Sequence, residues 1–513
     1  MEASYGIALY GQICYSTQIS LSCPLSTNQR FILNNQQTIK HPVGMWYLAS
    51  TFAVLSFGFG VVNSLLVLYL TQVLHFKPAA AYTLFAAFNS FLYILPLYSG
   101  RLSDWFGYRA AFIVGMVMEI VALYFLTVPN RYMLYLGLAL FMPAAALCSP
   151  AFYVLIGKMY KKNDIRRESA FTLSYMLMNL SYLVAFIAGG YAEQFLSFKV
   201  SFLLAAGISS VALLMFLVAR RFIVPDPSRD MRPRLSLNKH YLLIGLIITA
   251  LIPFPIGFFL LREATFGNWL VLIVGGALIP GVLLLAFKQK EKAARYKLIA
   301  FALLSLVSIG FWSLYMLEPS MLAIFVRDNV NRVVLGYVIP PSVYNSLDPF
   351  FVVVLGWMFS RLWLYLRARK RDISLPAKFT SSVLVMGVGF LLLVPAILMA
   401  GGGKVNSLWM ILVYLLLTVG ELLISPIGLA MVGRLAPEGM EGLLMGVWQV
   451  FTGLSAAVSA YLAKLAIVPQ HGATEVTNPV YAHAFLKIGL FSLILGAFSW
   501  LLLPHIKRIM KTK

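Results

Sequence analysis

Charge is scarce in this chain: 11% of its 513 residues are Asp, Glu, Lys or Arg, while 60% are hydrophobic. With a mean hydropathy of +0.84, it carries more apolar surface than a soluble core needs. Runs of about 18 or more apolar residues each read as a membrane-crossing helix. Acids are the rarer sign, 18 against 40 Lys and Arg, for a formal net charge of +22. Such an excess would suit nucleic acid if the cations shared one face. Instead they fall in Lys158–Arg167, Arg220–Lys239, Lys288–Lys297, Arg361–Lys378 and Lys507–Lys513, and Ala400–Ser407 and Ile467–Ala482 are nearly free of them. That alternation is the positive-inside rule, so the partner is a lipid bilayer and no nucleic acid is expected. Cysteine is nearly absent: Cys14, Cys23 and Cys148 offer no disulfide framework. The six histidines (His41, His75, His240, His471, His483 and His505) are too scattered for a metal site or a nucleophile–base set. No phosphate-cradling P-loop is present. A metal, a cofactor, an ATP-driven pump or an enzyme is therefore not expected. Residues 1–44 lack the basic, apolar and small-residue order of a signal peptide. They are expected to be a polar tail, or the product of an early start codon, since Met45 opens the first apolar run. That run would then insert as an uncleaved signal.

What is present is a series of fourteen apolar runs, near 45–70, 82–99, 110–128, 133–157, 170–190, 200–221, 241–261, 268–287, 298–325, 347–367, 379–400, 408–432, 443–466 and 484–504. An even number leaves both termini on one side, and cytoplasmic termini put every basic cluster inside. The fold class expected is an all-α polytopic protein of the inner (plasma) membrane. Its parts are a polar tail 1–44, a six-helix bundle 45–221, linkers and an inserted helix pair 222–297, a second six-helix bundle 298–504, and a basic cytoplasmic tail 505–513. No sequence repeat proves the two halves.

Glu421 lies in Leu408–Val432 with no other charged side chain beside it. A carboxylate at membrane depth is costly unless paired, protonated or facing a water-filled cavity. Gly420, Pro426 and Gly428 surround it, and such helix-weakening residues are tolerated where a helix lines a cavity or packs on neighbours. An acidic helix–helix contact is the plainer alternative. Glu119, Glu318 and Asp348 also fall within apolar runs, Asp348 near a helix start and so near the expected surface. Lys464 and Lys487 lie toward outer helix ends, where they can snorkel. Acids without a fixed cation favour amines and penalise free carboxylates. Neighbouring carboxylates can also exchange protons, which makes Glu421, Glu318 and Glu119 candidates for proton coupling. For Glu119 a bond to a neighbouring helix is an equal alternative, and Glu318, just before Pro319, could pair with a freed backbone group.

Between the second and third runs stands Gly100-Arg101-Leu102-Ser103-Asp104-Trp105-Phe106-Gly107-Tyr108-Arg109. It resembles the G-x-L-x-D-x-x-G-x-R signature of the major facilitator superfamily, which implies that fold and a gating role for Asp104 and Arg109. From about 57 to 450 the chain resembles the proton-dependent oligopeptide transporter family more narrowly. Leu65–Gln72 is similar to the end of that family's first helix, and Asp164–Thr172 with Tyr175, Met176 and Asn179 to its D-x-R-R-D-x-A-F-T stretch. Leu314-Tyr315 with Pro319 resembles its seventh core helix, and Leu347-Asp348-Pro349 stands where the family has Leu-Asn-Pro. Gly420–Leu429 with Met445–Trp448 resembles its tenth and eleventh, and the family's bacterial members also insert a helix pair between halves. The resemblance implies a central pocket lined by Glu421 and Ser425, with Glu421 receiving a substrate amine, Asp348 nearby and Tyr175, Tyr315 and Trp448 as aromatic walls. Against this, the first-helix E-x-x-E-R-F-x-Y-Y pattern and the Arg that follows align with Phe52, Leu55, Ser56, Phe57, Phe59, Gly60 and then Asn63. The fourth-helix Lys aligns with Ser149. Cations that would hold a peptide carboxylate are therefore missing at Asn63 and Ser149. The function expected is secondary active transport, by a monomer, of a peptide-like or amine-bearing solute by alternating access with protons as the coupling ion. A facilitator or exporter without proton coupling, or a solute sensor that does not transport, are the alternatives.

Overall fold

The computed structural model describes residues 40–511 except 162, 163, 165, 224–234, 236, 237, 370, 372, 438, 470 and 471. Most of the 1–44 tail, the interior of the 220–239 basic loop and His471 lie outside the described residues. Among the described residues, fourteen helices are long and apolar enough to span a membrane. They are α1 (Val43–Gln72), α2 (Pro78–Phe106), α3 (Tyr108–Leu126), α4 (Arg131–Lys158), α5 (Arg166–Phe195), α6 (Phe198–Ala219), α7 (His240–Arg262), α8 (Ala264–Lys288) and α9 (Lys292–Asn329). Then follow α10 (Leu347–Ala368), α11 (Leu375–Ala400), α12 (Leu408–Leu435), α13 (Glu441–Ala463) and α14 (Thr474–Lys511). Each expected run recurs as a helix, but several helices outrun the apolar stretch. Hydropathy marks where lipid lies, whereas helices continue until a cap or a turn stops them. Thus α14 begins at Thr474, ten residues before the apolar run, because Asn478 in its first turns donates to the carbonyls of Gly401 and Gly403.

Local chemistry sets the ends and the breaks. Asn130 and Ser197 cap α4 and α6 by accepting from the backbone N–H of Tyr132 and Val200. Pro96 and Pro253 interrupt α2 and α7 because proline cannot donate to the preceding turn. Gly107 makes the tight α2–α3 connection with φ +99°, a conformation other residues rarely adopt. In α9 the turn Glu318–Leu322 is a π-helix, the kind of bulge that often marks a functional site, and it places Pro319 where the ladder is already open.

In one half α1 packs between α5 and α6, with α3 on α4 and α6; in the other α11 packs between α12 and α14, with α9 on α13 and α14. The halves meet along α2–α13 and α5–α10. At the first seam Ser90 Oγ donates to the Gly453 carbonyl at 2.8 Å. A Cβ on Gly453 would stand 2.7 Å from the Ser90 carbonyl oxygen, so the approach requires glycine. Helices α7 and α8 lie outside the two bundles, against α2, α4, α9 and α13, and Asn268 Nδ2 on α8 donates to the Thr83 carbonyl at 2.9 Å. Their outer faces present Ile244, Ile248, Ile273 and Phe287, as a lipid-facing surface should. Away from the basic loops the halves also touch: Arg327 Nη1 donates to Thr71 Oγ1 at 2.9 Å and Gln194 Nε2 to the Val338 carbonyl at 3.0 Å. Four two-residue strands sit at that end: β1 (Val330–Asn331), β2 (Val333–Val334), β3 (Tyr337–Val338) and β4 (Val405–Asn406). There β1 pairs with β4 in parallel, and β2 with β3 antiparallel.

Candidate functional site

Glu421, on α12, meets Tyr175, on α5, across the two halves: the Tyr175 hydroxyl donates to Glu421 Oε1 at 3.1 Å. Ser425 follows Glu421 by one turn and is a second polar neighbour of that hydroxyl. Asp348 accepts from Tyr315 at 3.1 Å and from Thr418 Oγ1 at 2.8 Å. Sequence placed Asp348 near the surface; it does begin α10, yet it is buried, because α9 and α12 close over that helix start. Glu318 interacts with both Asp348 and Glu421, so three carboxyls share one neighbourhood. The Oε2 atoms of Glu318 and Glu421 are buried without a hydrogen-bond partner among the described residues, and so is Asn345 Nδ2. The backbone group that Glu318 was expected to find does not satisfy its Oε2.

The aromatic candidates divide. Tyr175 and Tyr315 are half-buried with their hydroxyls on the acids. Trp448 is buried against α12: a Cβ on Gly428 would stand 2.7 Å from its Cζ2. Glu119 is not brought to the other acids. It is buried between α3, α6 and α1, accepting from Ser209 Oγ at 3.2 Å beside Gly58. At the α2–α3 turn, Asp104 accepts from the Tyr108 hydroxyl, and Arg109 donates to the Ile223 carbonyl just beyond α6. The ammonium of Lys158 lies 4.6 Å from the centre of the Tyr108 ring, tying α4 into the same turn. On the α4–α5 loop the Arg166 guanidinium, bonded to Asp164 at 2.7 Å, holds that carboxyl below its usual range. Thr418, Tyr414 and Asn345 went unnoticed in the sequence. Thr418 lies three residues before Glu421 on the same helical face, a legible spacing. Tyr414, which donates to Asn345 Oδ1 at 2.8 Å, could be found only from the folded chain.

The model of the POT family matches residues 108–478. The chain belongs to the POT family. It is similar to dipeptide and tripeptide permease B of Yersinia enterocolitica, 31% identical over 471 residues covering 89% of this chain and 93% of that one. Its similarity to permease B of Aeromonas hydrophila is 29% over 462 residues, covering 88% and 91%. Among solved structures, the crystal structure of peptide transporter POT in complex with sulfate superposes with a TM-score of 0.80 at 24% identity, over 92% of this chain and 96% of that one. A POT family transporter in complex with 5-aminolevulinic acid gives 0.78 at 22%, over 91% and 97%. These likenesses establish the fold: two six-helix bundles of the major facilitator superfamily with an inserted pair.

Within this POT family fold, the first-helix positions that depart from the family pattern are filled by packing. Phe52 stacks on Phe152 with ring centres 3.9 Å apart, Leu55 is buried, and Ser56 donates to the Phe52 carbonyl at 2.8 Å. Asn63 and Ser149 are partly accessible, and neither has a hydrogen-bond partner among the described residues.

Proposed function

We propose that this chain is a secondary active transporter carrying a peptide-like, amine-bearing solute by alternating access, with protons as the coupling ion. The observation that carries the reading is the Tyr175–Glu421 bond between the halves. A cation or proton arriving at Glu421 competes with that hydroxyl, so loading the site changes what holds the halves together. Glu421 receives the substrate amine, and Glu421, Asp348 and Glu318 exchange the proton. Ser425, Tyr175 and Tyr315 line the pocket, Trp448 shapes it through Gly428, and Asp104 with Arg109 belongs to the cytoplasmic gate. Loop charge supports cytoplasmic termini in the inner membrane, and the protein works as a monomer. The packing of the helices supports a division into 45–221, 222–297 and 298–504. The relatives' names, dipeptide and tripeptide permease, support the solute class.

Proteoliposomes offered pooled amino acids, di- and tripeptides and polyamines test this directly. An inside-alkaline gradient should raise uptake of at least one amine-bearing pool several-fold over no gradient. Equal uptake in both conditions would leave facilitated passage in place of proton coupling.

A further inference from the structure

We propose that the chamber takes a cationic substrate without a free carboxylate, a peptide-like amine whose acid end is blocked or absent. This rests on the reading of the chain as a peptide-type transporter and narrows its substrate class. Glu318, Asp348 and Glu421 are each more than nine-tenths buried. Their partners among the described residues are the hydroxyls of Tyr175, Tyr315 and Thr418 and, for Asp348 and Glu421, each other's carboxyl, and no Lys or Arg is among them. Two buried carboxyl oxygens have no hydrogen-bond partner among the described residues. Buried acid of that kind demands a proton or a cation, and a hydroxyl supplies neither.

The wall that should meet a carboxylate is neutral. Asn63 and Ser149 stand where the family resemblance places cations, their side chains partly accessible and without hydrogen-bond partners among the described residues. Elsewhere on the same two helices Phe52 stacks on Phe152, and Ser56 turns back on its own helix. Asn345 Nδ2, buried and without a partner among the described residues, adds one neutral donor on the side of the acids. A free carboxylate would therefore lose a charge-assisted contact and still face three acids. An amide in its place can accept from Asn63 and Ser149 without bringing a negative charge. Losing a charge-assisted contact weakens binding about ten- to a hundredfold.

Thermal-shift titrations of the purified wild type at pH 7 would use dialanine, dialanine amide and N-acetyl-dialanine amide. The amide should bind at least about tenfold more tightly than dialanine, and the acetylated form, which lacks the cation, should not shift the melt. Asn63→Arg with Ser149→Lys should reverse the order of the first two; if that pair fails to fold, the wild-type order alone decides. Dialanine binding as tightly as its amide or more so, with the acetylated form silent, would overturn this inference and leave the peptide-type reading standing. Silence of all three ligands would overturn both.

Discussion

Glu421→Gln should abolish gradient-driven uptake and leave the fold intact. The carboxylate supplies attraction to a bound cation that a neutral amide in the same low-dielectric site cannot match. That contact alone is about 1.5–3 kcal/mol, so substrate binding should fall about ten- to a hundredfold and transport at least as far. Stability should barely move, because the glutamine oxygen still accepts the Tyr175 hydroxyl and no cationic partner is stranded. A buried carboxylate without a cation is itself costly, so its removal should not lower the melting temperature. Uptake assays beside detergent melting curves separate the two effects, and unchanged uptake would reduce Glu421 to a packing residue.

Gly58→Val should destabilise the amino-terminal bundle. A Cβ there would stand 2.5 Å from Glu119 Oε1 and 2.9 Å from Ser209 Oγ, inside the α1, α3 and α6 packing. Overpacking a filled core costs about 1–3 kcal/mol, and here the added methyls would also displace the Glu119–Ser209 bond. Combining Gly58→Val with Glu119→Ala removes the nearest opposing atom and leaves Ser209 Oγ, so the double variant should recover part of the lost melting temperature. Strict additivity of the two losses would show that Gly58 and Glu119 do not share the space that the structure gives them. Retained gradient-driven uptake in the double variant would place Glu119 outside the proton path, whereas its loss would return Glu119 to that path.

The membrane architecture was legible because lipid imposes a single rule, about twenty apolar residues for each crossing, and each of the fourteen runs obeyed it. Glu421 was equally legible as an isolated acid in such a run. Tertiary proximity was not. Nothing in the spacing of Glu318, Asp348 and Glu421, drawn from three helices, says that they converge while Glu119 stays apart. Asp348 looked shallow because it opens a helix, and only the packing of α9 and α12 over that opening buries it. Hydropathy likewise stopped short of helix ends held by side-chain bonds, as at Asn478.

Charge movement on a solid-supported membrane tests the central claim, that Glu421 receives the substrate cation between the two halves. Dialanine amide added at pH 7 to wild-type proteoliposomes should evoke a positive current into the vesicles, and Glu421→Gln should give none. Currents of equal size from both proteins would contradict it.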